Sequence, residues 1–236
     1  MFCSFKCLLW CTAFVLTTIV FPLSGNADPP EETMNSDAIG QYDRPFGWAH
    51  QSRSETLARS GIVATSHPKA SQAGLDVLRG GGNAVDAAIA ANAMLGVVEP
   101  MSCGIGGDLF AIVWDAKSKR LYGLNASGRS PSSLTRDVFI EKGLDEIPID
   151  GPLSWSVPGC VSGWQALLSR FGSRSLAELL TPSIETAREG FPVTPIIAGY
   201  WSGSAEKLSQ YPDSASTYLI EGQRAPKVGE VFRNPN

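Results

Sequence analysis

The architecture of this chain depends on one stretch, Gly80-Gly-Gly-Asn-Ala-Val-Asp-Ala-Ala-Ile-Ala-Ala-Asn-Ala93. Its glycines stop a preceding helix, Asn83 can cap the next one, and Asp86 suits the positive N-terminal end of that helix. Most of its side chains are small, so its backbone can approach neighbouring elements closely. We therefore predict a buried central helix packed between layers, and we expect Ala88→Leu to destabilise the protein by roughly 1 to 3 kcal/mol through overpacking.

The residues before this helix predict a strand, a turn and another helix. Gly61-Ile-Val-Ala-Thr65 is typical of a short buried strand, and Ser66-His67-Pro68 is typical of a turn. Pro68 suits the first turn of a helix that runs to the glycines at 80–82. Because His67 lies at a strand-to-helix junction, we interpret it as a turn or capping residue rather than as a base.

The residues after the helix predict a β-hairpin. The glycine-rich Gly104-Ile-Gly-Gly107 leads into a strand, Leu109-Phe-Ala-Ile-Val-Trp114. A polar turn follows, and Arg120-Leu-Tyr-Gly-Leu124 is predicted to pair back as an antiparallel strand.

The remainder of the chain is predicted to be mostly helical. An amphipathic helix covers residues 161–171, the capping box Ser175-Leu-Ala-Glu178 opens another helical stretch, and Thr181-Pro182 restarts it until Gly190. From Phe191 onward the chain becomes irregular and polar, so no clear element is expected there.

Composition limits the class of protein. The 236 residues carry a formal net charge of −4, and 43% of them are hydrophobic, with six Trp and ten Phe. These values predict a globular chain, and the absence of a Lys/Arg cluster argues against nucleic acid or an anionic membrane as partner.

The N-terminus resembles a secretory signal. Lys6 is followed by a largely apolar run over residues 7–23 and then by small or polar residues up to Ala27. A membrane anchor is the alternative, but the run is shorter than the about 20 residues that span a bilayer. We expect a signal peptide at 1–27, a poorly ordered leader at 28–55, a domain at 56–236 and a secreted or periplasmic location, with no stable membrane span.

Two cysteines, Cys103 and Cys160, remain once the signal is removed. One bridge between them is possible in an oxidising compartment. We favour two isolated thiols, because each lies in a glycine-containing stretch where a small residue is wanted.

Several kinds of site are excluded by spacing. The glycines at 104–107 follow a helix and open a strand, which is the reverse of a dinucleotide fingerprint, and they lack the Lys-Ser/Thr of a phosphate loop. We expect them to serve close backbone approach or positive φ instead. The chain also lacks zinc-ligand spacing and a Gly-x-Ser-x-Gly elbow. We therefore expect neither a metal nor a cofactor.

Arg129 is the candidate binding residue. It lies in Asn125-Ala-Ser-Gly-Arg-Ser-Pro131, just beyond the predicted second strand, where loops commonly present binding groups. A guanidinium there can hold a substrate carboxylate through two parallel hydrogen bonds. The alternative is a surface arginine in an ordinary turn.

An ordered set of motifs resembles a known family. The motifs are Gly80-Gly-Gly-Asn-Ala-Val-Asp-Ala-Ala88, Gly96-Val-Val-Glu-Pro100, Gly104-Ile-Gly-Gly107, Ser156-Val-Pro-Gly159 and Glu189-Gly-Phe191. Together they resemble the large subunit of gamma-glutamyltransferases, which are also called gamma-glutamyltranspeptidases or glutathione hydrolases.

The resemblance implies an α+β fold, the four-layered αββα sandwich of N-terminal nucleophile hydrolases, of which residues 56–236 would be the N-terminal part of the large subunit. It also implies a precursor that cuts itself to free a threonine, whose hydroxyl is the nucleophile and whose own amine is the base. The implied substrate is a gamma-glutamyl amide such as glutathione, and the implied partner is the missing small-subunit segment.

The sequence departs from the family pattern in two ways. No threonine has the Thr-Thr-His context of the nucleophile, so we assign no catalytic residue and expect the chain alone to be inactive. Many members carry the substrate-binding arginine where Ser127 stands, and the form Gly128-Arg-Ser-Pro131 resembles a branch linked to acylases of other amides. The resemblance then implies that Arg129 binds the carboxylate in a shifted register. A non-catalytic secreted module that binds gamma-glutamyl or other carboxylate ligands is the alternative.

Overall fold

A computed structural model describes residues 56–235. The predicted signal peptide at 1–27 and leader at 28–55 lie outside the described residues. The helices are α1 (Pro68–Arg79), α2 (Ala84–Val98), α3 (Arg136–Glu141), α4 (Cys160–Phe171), α5 (Leu176–Glu189), α6 (Pro195–Ser209) and α7 (Pro212–Tyr218). The strands are β1 (Leu109–Asp115), β2 (Arg120–Ala126), β3 (Phe191–Pro192) and β4 (Val231–Phe232). Helices and antiparallel strand pairs together confirm the predicted α+β class.

A reciprocal capping box begins α2, as the sequence predicts. The Asn83 side chain accepts hydrogen bonds from the amides of Val85 (2.9 Å) and Asp86 (3.1 Å). The Asp86 carboxylate in turn accepts one from the Asn83 amide at 2.8 Å. Two of the amides at the helix start that have no partner within the helix are thereby satisfied.

The Asp86 carboxylate also ties α2 to the connection between α4 and α5. It is fully buried and accepts hydrogen bonds from the amide (2.9 Å) and hydroxyl (2.5 Å) of Ser173 and from the amide of Arg174 (3.2 Å). Burial alone would raise the pKa of Asp86, but the bonds from Ser173, Asn83 and Arg174 outweigh it and hold the pKa below its usual value.

The burial predicted for α2 is confirmed for most of its length. Its buried residues are Asp86, Ala87, Ile89, Ala90, Ala91, Ala93, Met94 and Val98. Ala88, in contrast, is exposed. The overpacking expected of Ala88→Leu is therefore wrong, because a helix of 3.6 residues per turn directs that side chain away from the face that packs.

Ala90 is the position at which overpacking is expected. Its side chain has no exposed surface and packs in the core, so Ala90→Leu is expected to reduce the free energy of unfolding by about 1 to 3 kcal/mol. The exposed Ala88→Leu is the matched control and is expected to change it by less than about 0.5 kcal/mol. Chemical denaturation of both variants measures the difference, and equal losses would contradict the orientation of α2.

Two hydrophobic clusters form the core, and α2 contributes to both. The first cluster joins α1, the C-terminal half of α2, α6 and the β3–β4 pair, and consists of Ala70, Ala73, Met94, Val98, Phe191, Val193, Ile197, Ala198, Trp201 and Phe232. The second cluster joins the middle of α2 to α4 and α5, and consists of Ile89, Ala90, Ala93, Cys160, Trp164, Leu167 and Leu179.

The predicted hairpin is confirmed, with β1 paired to β2 from Leu109 opposite Ala126 to Asp115 opposite Arg120. Side chains alternate between its two faces. One face packs on the second cluster through Leu109, Ala111, Val113 and Leu124. The opposite face of β1 carries apolar side chains that are 60% to 80% exposed: Phe110, Ile112 and Trp114. We call this the bare face of the hairpin.

Two local predictions are wrong. Gly61–Thr65 is not a buried strand, because it pairs with no other strand of the described residues and Ile62 is 58% exposed. The second helical stretch does not restart at Thr181-Pro182. Instead, α5 runs through Pro182 as one helix, which the capping box at Ser175 and the burial of Leu179 hold together.

The segment after Phe191 is ordered rather than irregular. It contains α6, α7 and the β3–β4 pair, in which Phe191 lies opposite Phe232. Trp201 anchors it, since its ring lies 4.6 Å from that of Phe232 and its indole N–H donates to the carbonyl of Tyr218 at 2.9 Å. Within residues 56–235, no helix has both the length and the apolar character needed to cross a bilayer.

Candidate functional site

An open cleft lies where the end of β2 meets the start of α4. Its volume is about 460 Å³, and it is lined by residues 124–129, 157–159, 162, 163 and 166. Arg129 lines this cleft, so the structure places the predicted binding residue in a concave site beyond the second strand.

Direct backbone contact forms the floor of the cleft. The Val157 amide donates to the Arg129 carbonyl at 2.8 Å. A Cβ atom on Gly128 would lie 1.5 Å from the Val157 carbonyl oxygen, and one on Gly159 would lie 2.0 Å from that of Ala126. Two segments far apart in the sequence approach closely here because both positions are glycine.

Asp108 holds the loop that carries Arg129 in place through hydrogen bonds. Its carboxylate accepts hydrogen bonds from the Ser127 hydroxyl (3.1 Å), the Gly128 amide (3.3 Å) and the Ser156 hydroxyl (3.1 Å). These bonds, that from Gly128 above all, hold the pKa of Asp108 below its usual value. Sequence reasoning missed this residue, although an aspartate directly after a glycine-rich turn and directly before a strand was a signal that could have been used.

The glycine-rich segment is joined to the start of α4. The Gly107 carbonyl accepts hydrogen bonds from the amides of Gly159 (3.1 Å) and Cys160 (3.0 Å). The predicted reason for these glycines is not confirmed, since none of those at 104–107 has a positive φ and a Cβ on Gly104 or Gly106 would meet nothing within 4 Å.

Arg129 is exposed, and its guanidinium takes part in none of the ion pairs found between residues 56 and 235. It is also the one charged side chain among the described residues that line the cleft. The Ser127 hydroxyl, two residues earlier, donates to the Asp108 carboxylate at 3.1 Å. The cleft therefore presents a single positive charge on a loop that Asp108 and Val157 hold in place.

His67 caps α1, as predicted. It is buried, and its Nδ1 accepts a hydrogen bond from the Lys69 amide at 3.2 Å. Burial lowers the pKa of His67, although the Glu99 carboxylate acts in the opposite direction. His67 lies outside the cleft lining. In the part of the chain that the structure describes, no three His, Cys, Asp or Glu side chains are grouped to hold a metal ion.

The chain is similar to known proteins over most of its length. Residues 70–236 match the family model of gamma-glutamyltranspeptidase. The chain is 40% identical to a glutathione hydrolase proenzyme of Bacillus subtilis (strain 168) over 158 residues. This match covers 65% of this chain and 27% of the relative. It is 40% identical to the glutathione hydrolase-like YwrD proenzyme of the same strain, over 72% of this chain and 32% of that relative.

A solved structure is similar as well. The crystal structure of cephalosporin acylase from Bacillus halodurans is 43% identical with a TM-score of 0.73, and the match covers 82% of this chain and 37% of that one. This chain thus spans between about a quarter and two fifths of the length of these three relatives.

Proposed function

Because the chain belongs to the gamma-glutamyltranspeptidase family, we propose that it builds one wall of the acyl-binding cleft of an enzyme that hydrolyses or transfers the acyl group of an amide. The proposed acyl group carries a free carboxylate, as the gamma-glutamyl group of glutathione does. The observation that carries this proposal is the guanidinium of Arg129, which forms no ion pair within residues 56–235, in a cleft of about 460 Å³.

Arg129 would hold the substrate carboxylate through two parallel hydrogen bonds, which a planar guanidinium forms better than any other side chain. Such a clamp requires a fixed backbone. The Val157 amide bound to the Arg129 carbonyl and the Asp108 carboxylate bound to the two preceding residues supply it.

An acyl group without an amino group is the second candidate. No carboxylate is present among the described lining residues to pair with the ammonium group of a gamma-glutamyl substrate. The p-nitroanilides of gamma-glutamate and of glutarate differ only in this amino group, so their kcat/KM ratio separates the two candidates.

We further propose that the threonine nucleophile comes from polypeptide outside the present sequence, and that part of this polypeptide covers the bare face of the hairpin. Exposed apolar patches of this kind mark interaction surfaces. The residues 1–27 support secretion or a periplasmic location of the assembled enzyme.

The test is complementation. We expect the purified chain to release no p-nitroaniline from either anilide, and co-expression with the small-subunit segment of a relative to restore turnover. In the restored enzyme, Arg129→Gln is expected to raise KM about 10- to 100-fold, because a charged hydrogen-bonded pair is lost.

Arg120→Gln is the matched control, since Arg120 lies at the far end of the hairpin beside Tyr122, and it is expected to leave KM unchanged. Turnover by the chain alone would refute the proposal that the nucleophile comes from polypeptide outside the present sequence. Saturable binding of glutamate to the chain alone in calorimetry, without restored turnover, would favour a non-catalytic binding module.

A further inference from the structure

Cys103 and Cys160 lie on the same small cavity. Its volume is about 140 Å³, and both cysteines line it together with Asn92 and Gly96 of α2. Cys103 belongs to the loop that follows α2, and Cys160 is the first residue of α4. Both are thiols in this structure.

Both cysteines lie beside helix α2. The Cys160 sulfur lies 3.8 Å from Oδ1 of Asn92. A Cβ on Gly96 would lie 3.7 Å from the Cα of Gly104, the neighbour of Cys103. Positions four residues apart face the same side of a helix and are separated by about 6 Å along its axis. The two cysteines line one cavity of about 140 Å³, and Cys103 is near enough to Cys160 to act on it electrostatically. Because disulfides join residues whose Cα atoms lie about 4.4 to 6.8 Å apart, a bond between them would form by movement of the loop across this cavity.

The loop between Cys103 and β1 can adjust to a covalent bond. Its far end is fixed, because the Gly107 carbonyl accepts from the Cys160 amide at 3.0 Å. Near Cys103, the loop is held to the end of α2 by one bond from the Cys103 amide to the Glu99 carbonyl at 3.2 Å, and there is open space where a Cβ on Gly104 or Gly106 would lie. A small rotation of Cys103 therefore need not disturb the cleft on the other side of Asp108.

We propose that Cys103 and Cys160 are a disulfide-forming pair that closes this cavity when the protein meets a small-molecule disulfide such as oxidised glutathione. One thiolate attacks the glutathione disulfide and releases one reduced glutathione. The second thiolate attacks the mixed disulfide and releases another, so two thiols are oxidised and one disulfide is reduced to two thiols. The pair does not depend on the proposed enzymatic function.

Exchange begins at Cys103, which is only partly buried, whereas Cys160 is buried. Burial, and after it the Glu99 carboxylate, raises the pKa of the Cys103 thiol. Burial raises that of Cys160, and the nearby Cys103 adds to it. The reaction is therefore slow at neutral pH and faster in mild alkali. Once formed, the bond attaches the loop before Asp108 to the start of α4, and so to both sides of the Arg129 cleft.

Peptide mapping tests this pair. The full chain is equilibrated with mixtures of oxidised and reduced glutathione, alkylated and digested with trypsin without reduction. The expected product joins the peptide of residues 80–117 to that of residues 143–170, two hydrogen atoms lighter than their sum. At one glutathione ratio, the folded chain is expected to contain about tenfold more of this product than the chain in denaturant, because folding holds the two sulfurs together.

Cys103→Ser and Cys160→Ser are the controls, and each abolishes the joined peptide. The cross-linked chain is expected to melt at a higher temperature than the reduced chain, whereas oxidant leaves the melting temperature of both Ser variants unchanged. Glutathione attached to Cys103 without a joined peptide, equal yields in folded and denatured chain, or a lower melting temperature on cross-linking would each overturn the proposal.

Discussion

An Asp86→Ala variant is expected to lose about 3 to 5 kcal/mol of its free energy of unfolding. The substitution removes one buried acceptor that satisfies the amides of Asn83, Ser173 and Arg174 and the hydroxyl of Ser173. It opens the capping box of α2 and releases the connection between α4 and α5 at the same time. Equilibrium denaturation in urea measures the loss.

Acid isolates the contribution of the charge. The folded pKa of Asp86 is lowered, so its carboxylate stabilises the fold above the unfolded pKa of about 3.9, and this contribution is lost as the pH falls through the folded value. The difference in unfolding free energy between the natural chain and Asp86→Asn is therefore expected to be largest near neutral pH and to shrink below about pH 4.

Asp76→Ala is the matched control, because Asp76 is an exposed aspartate of α1 with only exposed partners, Gln72 and Arg79. It is expected to change stability by less than about 0.5 kcal/mol. Two results would contradict the role of Asp86 in joining α2 to the connection between α4 and α5. One is a loss of stability for Asp86→Ala as small as that of the control. The other is a difference in unfolding free energy between the natural chain and Asp86→Asn that grows in acid.

Gly128→Ala is expected to cost about 3 kcal/mol and to displace the loop of Arg129. The added methyl group would lie 1.5 Å from the Val157 carbonyl oxygen and 2.6 Å from its carbonyl carbon. Neither atom can move alone, because both belong to the backbone. The two segments must separate, which breaks the 2.8 Å bond between the Val157 amide and the Arg129 carbonyl.

Gly123→Ala, on strand β2 just before this loop, is the comparison, since a Cβ there meets nothing within 4 Å. It is expected to be neutral or slightly stabilising, because alanine restricts the unfolded chain. Thermal unfolding of both variants measures the difference. Equal melting temperatures would mean that residues 126–129 and 157–159 do not pack as closely as the cleft requires.

Local signals in the sequence were enough to predict α1, α2 and the β1–β2 hairpin. Asn83 and Asp86 define the start of α2 through hydrogen bonds to residues at most three positions away. The β1–β2 hairpin joins neighbouring strands through a short turn in which Asp115 accepts from the amide of Lys117 at 3.1 Å. Interactions between residues so close in sequence leave a readable pattern.

The C-terminal helices could not be predicted in this way. Helix α6 contains Gly199 and Gly203 and several serines, which have low helix propensity. Its stability comes from Trp201 and Ile197, which pack in the first cluster with the β3–β4 pair, and that pair joins residues about 40 positions apart. Whether such a helix forms depends on its burial against segments that are distant in the sequence. A short window of sequence carries no information about those contacts.

Only part of the candidate site could be predicted, because some of its residues come from distant segments. The position of Arg129 after β2 follows from the hairpin, whereas the residues that fix its loop come from elsewhere: Asp108 from before β1, and Ser156 and Val157 from before α4. Their meeting depends on the tertiary fold. The role of Arg129 in binding a carboxylate remains the proposal made above.

Because α2 contributes to both clusters, the stability of one cluster depends on that of the other. The first cluster uses Met94 and Val98 of this helix, and the second uses Ile89, Ala90 and Ala93. If α2 unwinds, both clusters lose part of their packing together, so neither half can melt independently. A helix of small side chains thus couples the unfolding of the two clusters, and damage near residue 90 reaches side chains as distant in sequence as Trp201 and Phe232.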